Sequence, residues 1–370
     1  MSKISFSIVV ATKGRVQLLI ELIESVAVAR KNYQGDCEFI IVDDSSEKEK
    51  LEIIEACKKY DCKYFYYENA VSAKRNYGVQ QAKNEVILFL DSDCIATENI
   101  LNEYAKKYSD PDVAAVAGPL TFVGEDTWFW KAIEATPYLT CFYLPKYVDN
   151  LEWGVTANFS VKRTVFNEVG GFDSNFKKPA GEDVDLGLMI REAGYKVCGS
   201  AESGVFHSKK TWIPFKAMWR RLKFYGSADC DLTMKHPKLS EVVLPKRCIM
   251  YAIYALIIVC LSIMVSPWLL FAIPGIILVE NALMSILINA NEHEKKASFS
   301  QQMMAQFLIH RSDSSYVLQC IKKGYFKGIR KQMIYYLGQY KGMLNIGAIN
   351  TFVTYGFLLC LLIVVGILVL

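Results

Sequence analysis

Short apolar runs and stretches of helical period alternate along the first 90 residues of the chain. Phe6 to Ala11 reads as a strand, and Val16 to Ala29 as a helix with Leu18, Leu19, Leu22, Ile23 and Val26 on one face. Phe39 to Val42, Tyr64 to Tyr67 and Val86 to Leu90 repeat the strand signal; Leu51 to Lys59 and Ala73 to Lys83 repeat the helical one. This alternation predicts an α/β domain: a parallel sheet covered by helices on both faces, with Rossmann-like architecture. Such sheets bind ligands beyond the C-terminal ends of their strands. Thr12, Asp43, Asp44, Asp91 and Asp93 all stand at those predicted ends.

The pattern changes twice further on. Residues 112–235 are less regular, but Gly181 to Val197 reads as an amphipathic helix opening with three acids, a Gly stop at Gly194 and a strand. From Ile249 to Asn289 only Glu280 is charged, a length that suits two membrane spans with Ser266 to Leu270 as the turn. Thr351 to Leu370 carries no charge at all and reads as a third span. Between them, residues 291–350 hold nine Lys or Arg against three acids. By the excess of cations on cytoplasmic loops, that segment and the N-terminal domain are expected on the cytoplasmic side of a cell membrane. The expected organisation is a catalytic domain over 1–240, a helical hairpin over 249–289, a basic amphipathic segment over 291–350 and a last span over 351–370.

Composition adds less. Apolar residues make up 52% of the chain, the excess lying after about residue 248, and a net charge of +4 is too small to argue for nucleic acid. The eleven cysteines show no CxxC and no regular spacing, which predicts reduced thiols in a cytoplasmic domain. The opening "MSKISFSIVVATKGR" has too short an apolar run for a secretory signal.

The candidate chemistry centres on "EVILFLDSDC". A buried strand ends in two carboxylates one residue apart, which repel unless a cation sits beside them. Mg²⁺ or Mn²⁺ suits the pair, since such ions take oxygen ligands and keep positions open for phosphate. Asp43 and Asp44 end another strand in the same way.

Five segments in order, "SIVVATKGR", "EFIIVDDSS", "AVSAKRNYGVQQAKNEVILFLDSDC", "GVTANFSVKRTVFNEVGGFD" and "GEDVDLGLMIREAGYKV", resemble the large family 2 of inverting glycosyltransferases, over about residues 4–235. The resemblance implies the GT-A fold, here with C-terminal transmembrane helices, and a nucleotide-sugar donor. It implies that Ala11, Thr12, Arg15, Asp43, Asp44, Arg75 and Asp91 face the nucleotide. A UDP-sugar is favoured, because uracil offers an N–H to a carboxylate and a guanidinium suits carbonyl and phosphate oxygens. Asp93 is implied as metal ligand, His207 as a further one, and Asp183 as the base that deprotonates the acceptor hydroxyl. The implied acceptor is a lipid-linked saccharide in cell-surface glycan synthesis, or else a polyprenyl phosphate that becomes a lipid sugar carrier. "WRRLKFYGSA" lacks the Gln of the processive synthases' Q-x-x-R-W, which argues against processive synthesis. A nucleotidyltransferase would carry a Gly-rich N-terminal loop, whereas "ATKGRVQ" has one Gly. A catalytically dead scaffold would have lost the D-x-D or the E-D pair, and both are intact.

Overall fold

The computed structural model describes residues 3–243, 246–291, 297–335 and 342–369. Glu292, Glu294, Lys295, Lys296 and Lys341 of the basic segment, and Leu370 of the last apolar stretch, lie outside the described residues. The chain forms two units: Met1–Glu125 with Leu139–Pro214, and Asp126–Tyr138 with Phe215–Leu370.

In the first unit the strands are β1 (Phe6–Thr12), β2 (Cys37–Asp43), β3 (Lys63–Tyr66), β4 (Val86–Leu90), β5 (Cys94–Ala96), β6 (Val113–Ala117), β7 (Leu120–Val123), β8 (Asn150–Leu151), β9 (Asn158–Lys162), β10 (Lys196–Gly199) and β11 (Val205–Ser208). Eight of them make one sheet in the order β3-β2-β1-β4-β9-β6-β10-β8. The half β3-β2-β1-β4 is parallel, as the alternation predicts. The other half departs from that prediction: β9 runs antiparallel to both β4 and β6, so the sheet is mixed. The reason is the chain's path, since β9 follows a long irregular segment and re-enters the sheet between β4 and β6 from the opposite end. Its register sets Asn158 opposite Leu90, beside the acidic loop. A smaller sheet, β5-β11-β7, stands next to that loop in sequence.

Helices α1 (Val16–Asn32), α2 (Glu47–Lys59), α3 (Val71–Gln81) and α4 (Ile100–Lys107) follow β1, β2, β3 and β5. Their apolar faces bury Leu19, Leu22, Ile23, Val26 and Ile53 against strands that are buried almost throughout, Val86 to Leu90 being at most 1% exposed. Gly78 of α3 lies so close to the sheet that a Cβ there would come 2.4 Å from Val9 Cγ1. This contact pins α3, and with it the two cations it carries. After α5 (Trp128–Glu134) come α6 (Thr140–Tyr143), α7 (Arg163–Glu168) and α8 (Glu182–Glu192). Gly181, with φ of +87°, turns the chain into α8 in a conformation that side chains resist.

The second unit contains α5, α9 (Phe215–Lys235), α10 (Arg247–Met264), α11 (Ala272–Asn291), α12 (Phe299–Lys322) and α13 (Gly342–Val369). The expected domain boundary at 240 thus falls within this unit. Arg247–Met264 and Pro267–Ala290 are long and apolar enough to cross a membrane, by length and composition. A short 3-10 turn, Pro267–Phe271, joins α10 to α11, where the sequence predicts a turn. Large apolar side chains stand out from these helices, among them Ile263 at 82% exposure and Trp268 at 76%. Within the expected amphipathic segment, α12 is packed along α9, burying Ala305, Leu308, Tyr316 and Cys320.

Candidate functional site

Parallel register aligns the strand ends. Thr12 pairs with Asp43, so the loops after β1 and β2 leave the sheet together. Gly14 N–H donates to Ser45 Oγ over 2.6 Å, tying one loop to the other. Ala11 is the last half-exposed position of β1, and Thr12 is buried. Asp43 is fully buried, and its carboxylate accepts from Ser45 N–H, the Ser45 hydroxyl and the Tyr64 hydroxyl. Asp44 accepts from Lys13 at 3.1 Å and from the buried Lys74, which also donates to Thr12 O at 2.5 Å. Burial pushes the Lys74 ammonium below its ordinary value, against the pull of Asp44.

The next residue on α3, Arg75, turns the other way. Its guanidinium donates to Asp91 Oδ1 at 2.8 Å and to Glu182 Oε1 at 2.9 Å, and lies 5.7 Å from the centre of the Phe172 ring. One buried cation therefore joins the loop after β4 to the first turn of α8. Glu182, Asp183 and Asp185 all occupy that turn, where the helix dipole favours negative charge. Burial raises the carboxyl of Glu182 to about 7, with Asp183 adding repulsion and Arg75 opposing. Burial likewise raises Asp183, against a bond from Val184 N–H and the attraction of Arg75.

Asp93 is the centre of a third cluster. Arg15 Nη1 donates to Asp93 Oδ2 at 3.0 Å and Thr211 Oγ1 donates to the same oxygen at 2.8 Å. Arg15 reaches across from a left-handed position, φ +59°, directly after Gly14 at φ +65°. His207 arrives through sheet register: β11 runs antiparallel to β5 with His207 opposite Cys94, and Ser208 N–H extends the ladder to Asp93 O at 2.9 Å. His207 Nε2 lies 3.5 Å from Asp93 Oδ1. Ligand atoms of Asp93, Cys94 and His207 all fall within 4.8 Å of one another, a spacing that can hold a metal ion. Carboxylate oxygen and imidazole nitrogen fit a hard divalent ion. Cys94 fits it less, because burial and then Asp93 and Asp91 raise its thiol well above the ordinary value.

All ten residues predicted for the site lie in the first unit: most at the ends of β1, β2 and β4 or in the loops that follow, Arg75 on α3, His207 in β11 and Asp183 at the start of α8. Lys13, Lys74, Thr211 and Asn158 were not predicted. Lys74 was signalled by its place beside Arg75 in "SAKRNYG". Asn158 bonds Pro119 O at 3.1 Å and Ser203 O at 2.6 Å, and so supports the approach to β11. Thr211 carries no motif. Its role depends on the fold of the turn after β11.

The geometry is that of an α/β nucleotide-binding domain with an acidic centre at the strand ends. Residues 7–176 match the model of glycosyl transferase family 2, and this part of the chain belongs to that family, with the GT-A fold. The fold is similar to that of the mannosyltransferase PcManGT from Pyrobaculum calidifontis, solved in complex with GDP-Man and Mn²⁺: TM-score 0.53 and 14% identity, covering 88% of this chain and 89% of that one. Among curated proteins, the O-antigen biosynthesis protein RfbC of Myxococcus xanthus is 27% identical over 219 residues, which are 54% of this chain and 17% of that protein. The validoxylamine A glucosyltransferase of Streptomyces hygroscopicus subsp. jinggangensis is 24% identical over 229 residues, 53% of this chain and 54% of that protein. The chain thus spans about a sixth to about half the length of these two relatives.

Lys74 and Asp44 form a buried pair, and removing one partner of such a pair costs about 3–5 kcal/mol. Lys13 still reaches Asp44, so Lys74→Met should cost less, about 2–3 kcal/mol, in denaturant unfolding of the chain. The double variant Lys74→Met, Asp44→Leu should recover part of that loss. An unchanged midpoint in the single variant would show that the pair does not hold the loops.

Proposed function

We propose that the protein transfers a sugar from a nucleotide-diphosphate sugar, with inversion, to a saccharide acceptor carried on a membrane lipid. The observation that carries this reading is the pair of hydrogen bonds that Arg75 donates, to Asp91 and to Glu182, which unite the Asp91 loop and the Glu182–Asp183 turn in one acidic site. Donor and acceptor chemistry then have one place to meet.

In this reading Ala11, Thr12, Asp43, Asp44 and Arg75 receive the nucleotide, and Asp91 takes the ribose or a metal-bound water. Asp93 and His207 would hold Mg²⁺ or Mn²⁺; PcManGT was solved with Mn²⁺. Bound there, the ion supplies positive charge that neutralises the leaving diphosphate. Arg15 balances the charge of Asp93, and its half-exposed side chain is free to turn toward a phosphate oxygen. Asp183 accepts the proton of the acceptor hydroxyl as that oxygen attacks the anomeric carbon opposite the leaving group. A carboxyl raised by burial is a stronger base than one in water, and so a better acceptor for that proton. A UDP-sugar is our first choice of donor and a GDP-sugar the second; hydrolysis of each by the purified chain separates them. The exposed apolar surfaces of α10 and α11 anchor the protein in a membrane. The same anchoring serves a polyprenyl phosphate acceptor. Radiolabel transfer to that lipid, set against transfer to a lipid-linked oligosaccharide, decides between the two.

Asp183→Asn keeps the side chain's size but cannot take a proton. Transfer should fall by about 10²–10⁴-fold while donor Kd is preserved. The parent's kcat should decline as pH falls, because the base must be ionised. That limb should lie above the ordinary carboxylate range, because burial raises the carboxyl of Asp183. The variant should lack the limb. Donor Kd and kcat falling together would mean that Asp183 holds the donor or the fold instead.

Chelation with EDTA should abolish transfer and Mn²⁺ should restore it in the parent but not in Asp93→Ala. Undiminished turnover in EDTA would rule out the metal role of Asp93.

Alkaline carbonate washing should leave the full chain in the membrane fraction. Its recovery in the supernatant would contradict anchoring by α10 and α11.

A further inference from the structure

We propose that Cys230 and Cys320 form a reversible intramolecular disulfide that locks α9 to α12 in the second unit. The two sulfurs lie 3.1 Å apart, although their residues are 90 positions apart in the chain. Both side chains are fully buried, enclosed by Tyr316 and Tyr325 with Val317 and Ile329 packed around them.

The approach is fixed by the whole length of the helix pair. α9 and α12 run side by side in the same direction. Near their starts Trp219 stacks on Phe307, with ring centres 5.0 Å apart, and Arg311 lies over the Trp219 ring. One turn before Cys230, a Cβ on Gly226 would come 2.0 Å from Ser312 O, so only glycine lets the backbones meet there. Beyond the cysteines Asp231 accepts from Gln319 Nε2 at 3.2 Å and pairs with Lys323 at 2.9 Å. Contacts on both sides hold the sulfurs together, and a disulfide of about 2.05 Å needs roughly 1 Å of further closure.

Bond formation requires an oxidant, which we assign to the class of low-molecular-weight disulfides. One cysteine, as thiolate, attacks a sulfur of the oxidant, forming a mixed disulfide and releasing one small thiol. The second cysteine, giving up its proton, attacks the protein sulfur of that mixed disulfide and displaces the second small thiol. Two protein thiols are oxidised, the oxidant is reduced to two thiols, and the protons leave on them. Burial hinders access and raises both thiols. Exchange is therefore slow, and the oxidised and reduced proteins are separable forms. The bridge closes a loop that contains α10 and α11, so it restrains both apolar helices in the unfolded chain.

The test equilibrates the full chain in detergent with mixtures of oxidised and reduced glutathione until alkylation no longer changes. The chain is then denatured in a maleimide and its peptides mapped by mass. The oxidised protein should yield a linked pair of peptides carrying Cys230 and Cys320, with neither alkylated and the other cysteines labelled. Its apparent Tm should exceed that of the reduced form by about 10 °C, a gain absent from Cys230→Ala and from Cys320→Ala. Both cysteines alkylated in the most oxidising mixture, or either linked to a different cysteine, would overturn the proposal. The mapping uses the unaltered chain and does not depend on the folding of a variant.

Discussion

A single buried guanidinium holds the acidic centre together. Arg75 bonds Asp91 on one side and Glu182 on the other, and both bonds are under 3 Å. Without it Asp91, Glu182 and Asp183 would meet as like charges in a largely buried space, and protonation would be the cheapest escape. With it, two segments 91 positions apart in the chain share one cation. The arrangement also explains α3. Gly78 lets this helix lie flush on β1, and consecutive cations at its start, Lys74 and Arg75, serve two different carboxylate groups. Successive side chains on a helix point about 100° apart, which separates the two tasks on adjacent residues.

Much of this was legible in the sequence. Strands that are buried on both faces are continuous apolar runs, so their ends and the acids that follow them stand out. That is why the sequence alone places Thr12, Asp43, Asp91 and Asp93 at strand ends. What was not legible depends on register. His207 is reached from the sequence only through the family resemblance: it meets Asp93 because it pairs with Cys94 across β5 and β11, and no periodicity in "GVFHSKK" announces that pairing. The antiparallel insertion of β9 was missed for the same reason. Strand direction is decided by how the intervening irregular segment travels, and apolar content is blind to it. α9 was expected with the catalytic domain because it precedes the apolar helices, yet its stacked Trp219 and close-packed Gly226 commit it to α12.

The two units divide the work by physical character. The first has polar groups gathered at strand ends and an apolar interior, as a domain that binds a charged donor requires. The second presents apolar side chains outward from α10 and α11, the inverse of a water-soluble surface. In the function proposed above, the helices keep the catalytic domain beside an acceptor carried on a membrane lipid. Within this second unit the parallel pair α9–α12 is tied to both apolar helices: Arg247 of α10 donates to Gln306 at 2.8 Å, and His310 bonds Asn281 of α11 at 2.9 Å.

In the proposed mechanism one carboxylate, Asp183, deprotonates the acceptor for a single displacement at a donor held across the Arg75 bridge. The stereochemistry of the product tests it most directly. Transfer from an α-linked nucleotide sugar, followed by NMR of the anomeric centre in the new linkage, should give the β product. An α product would require two displacements or a front-face attack and would contradict the account.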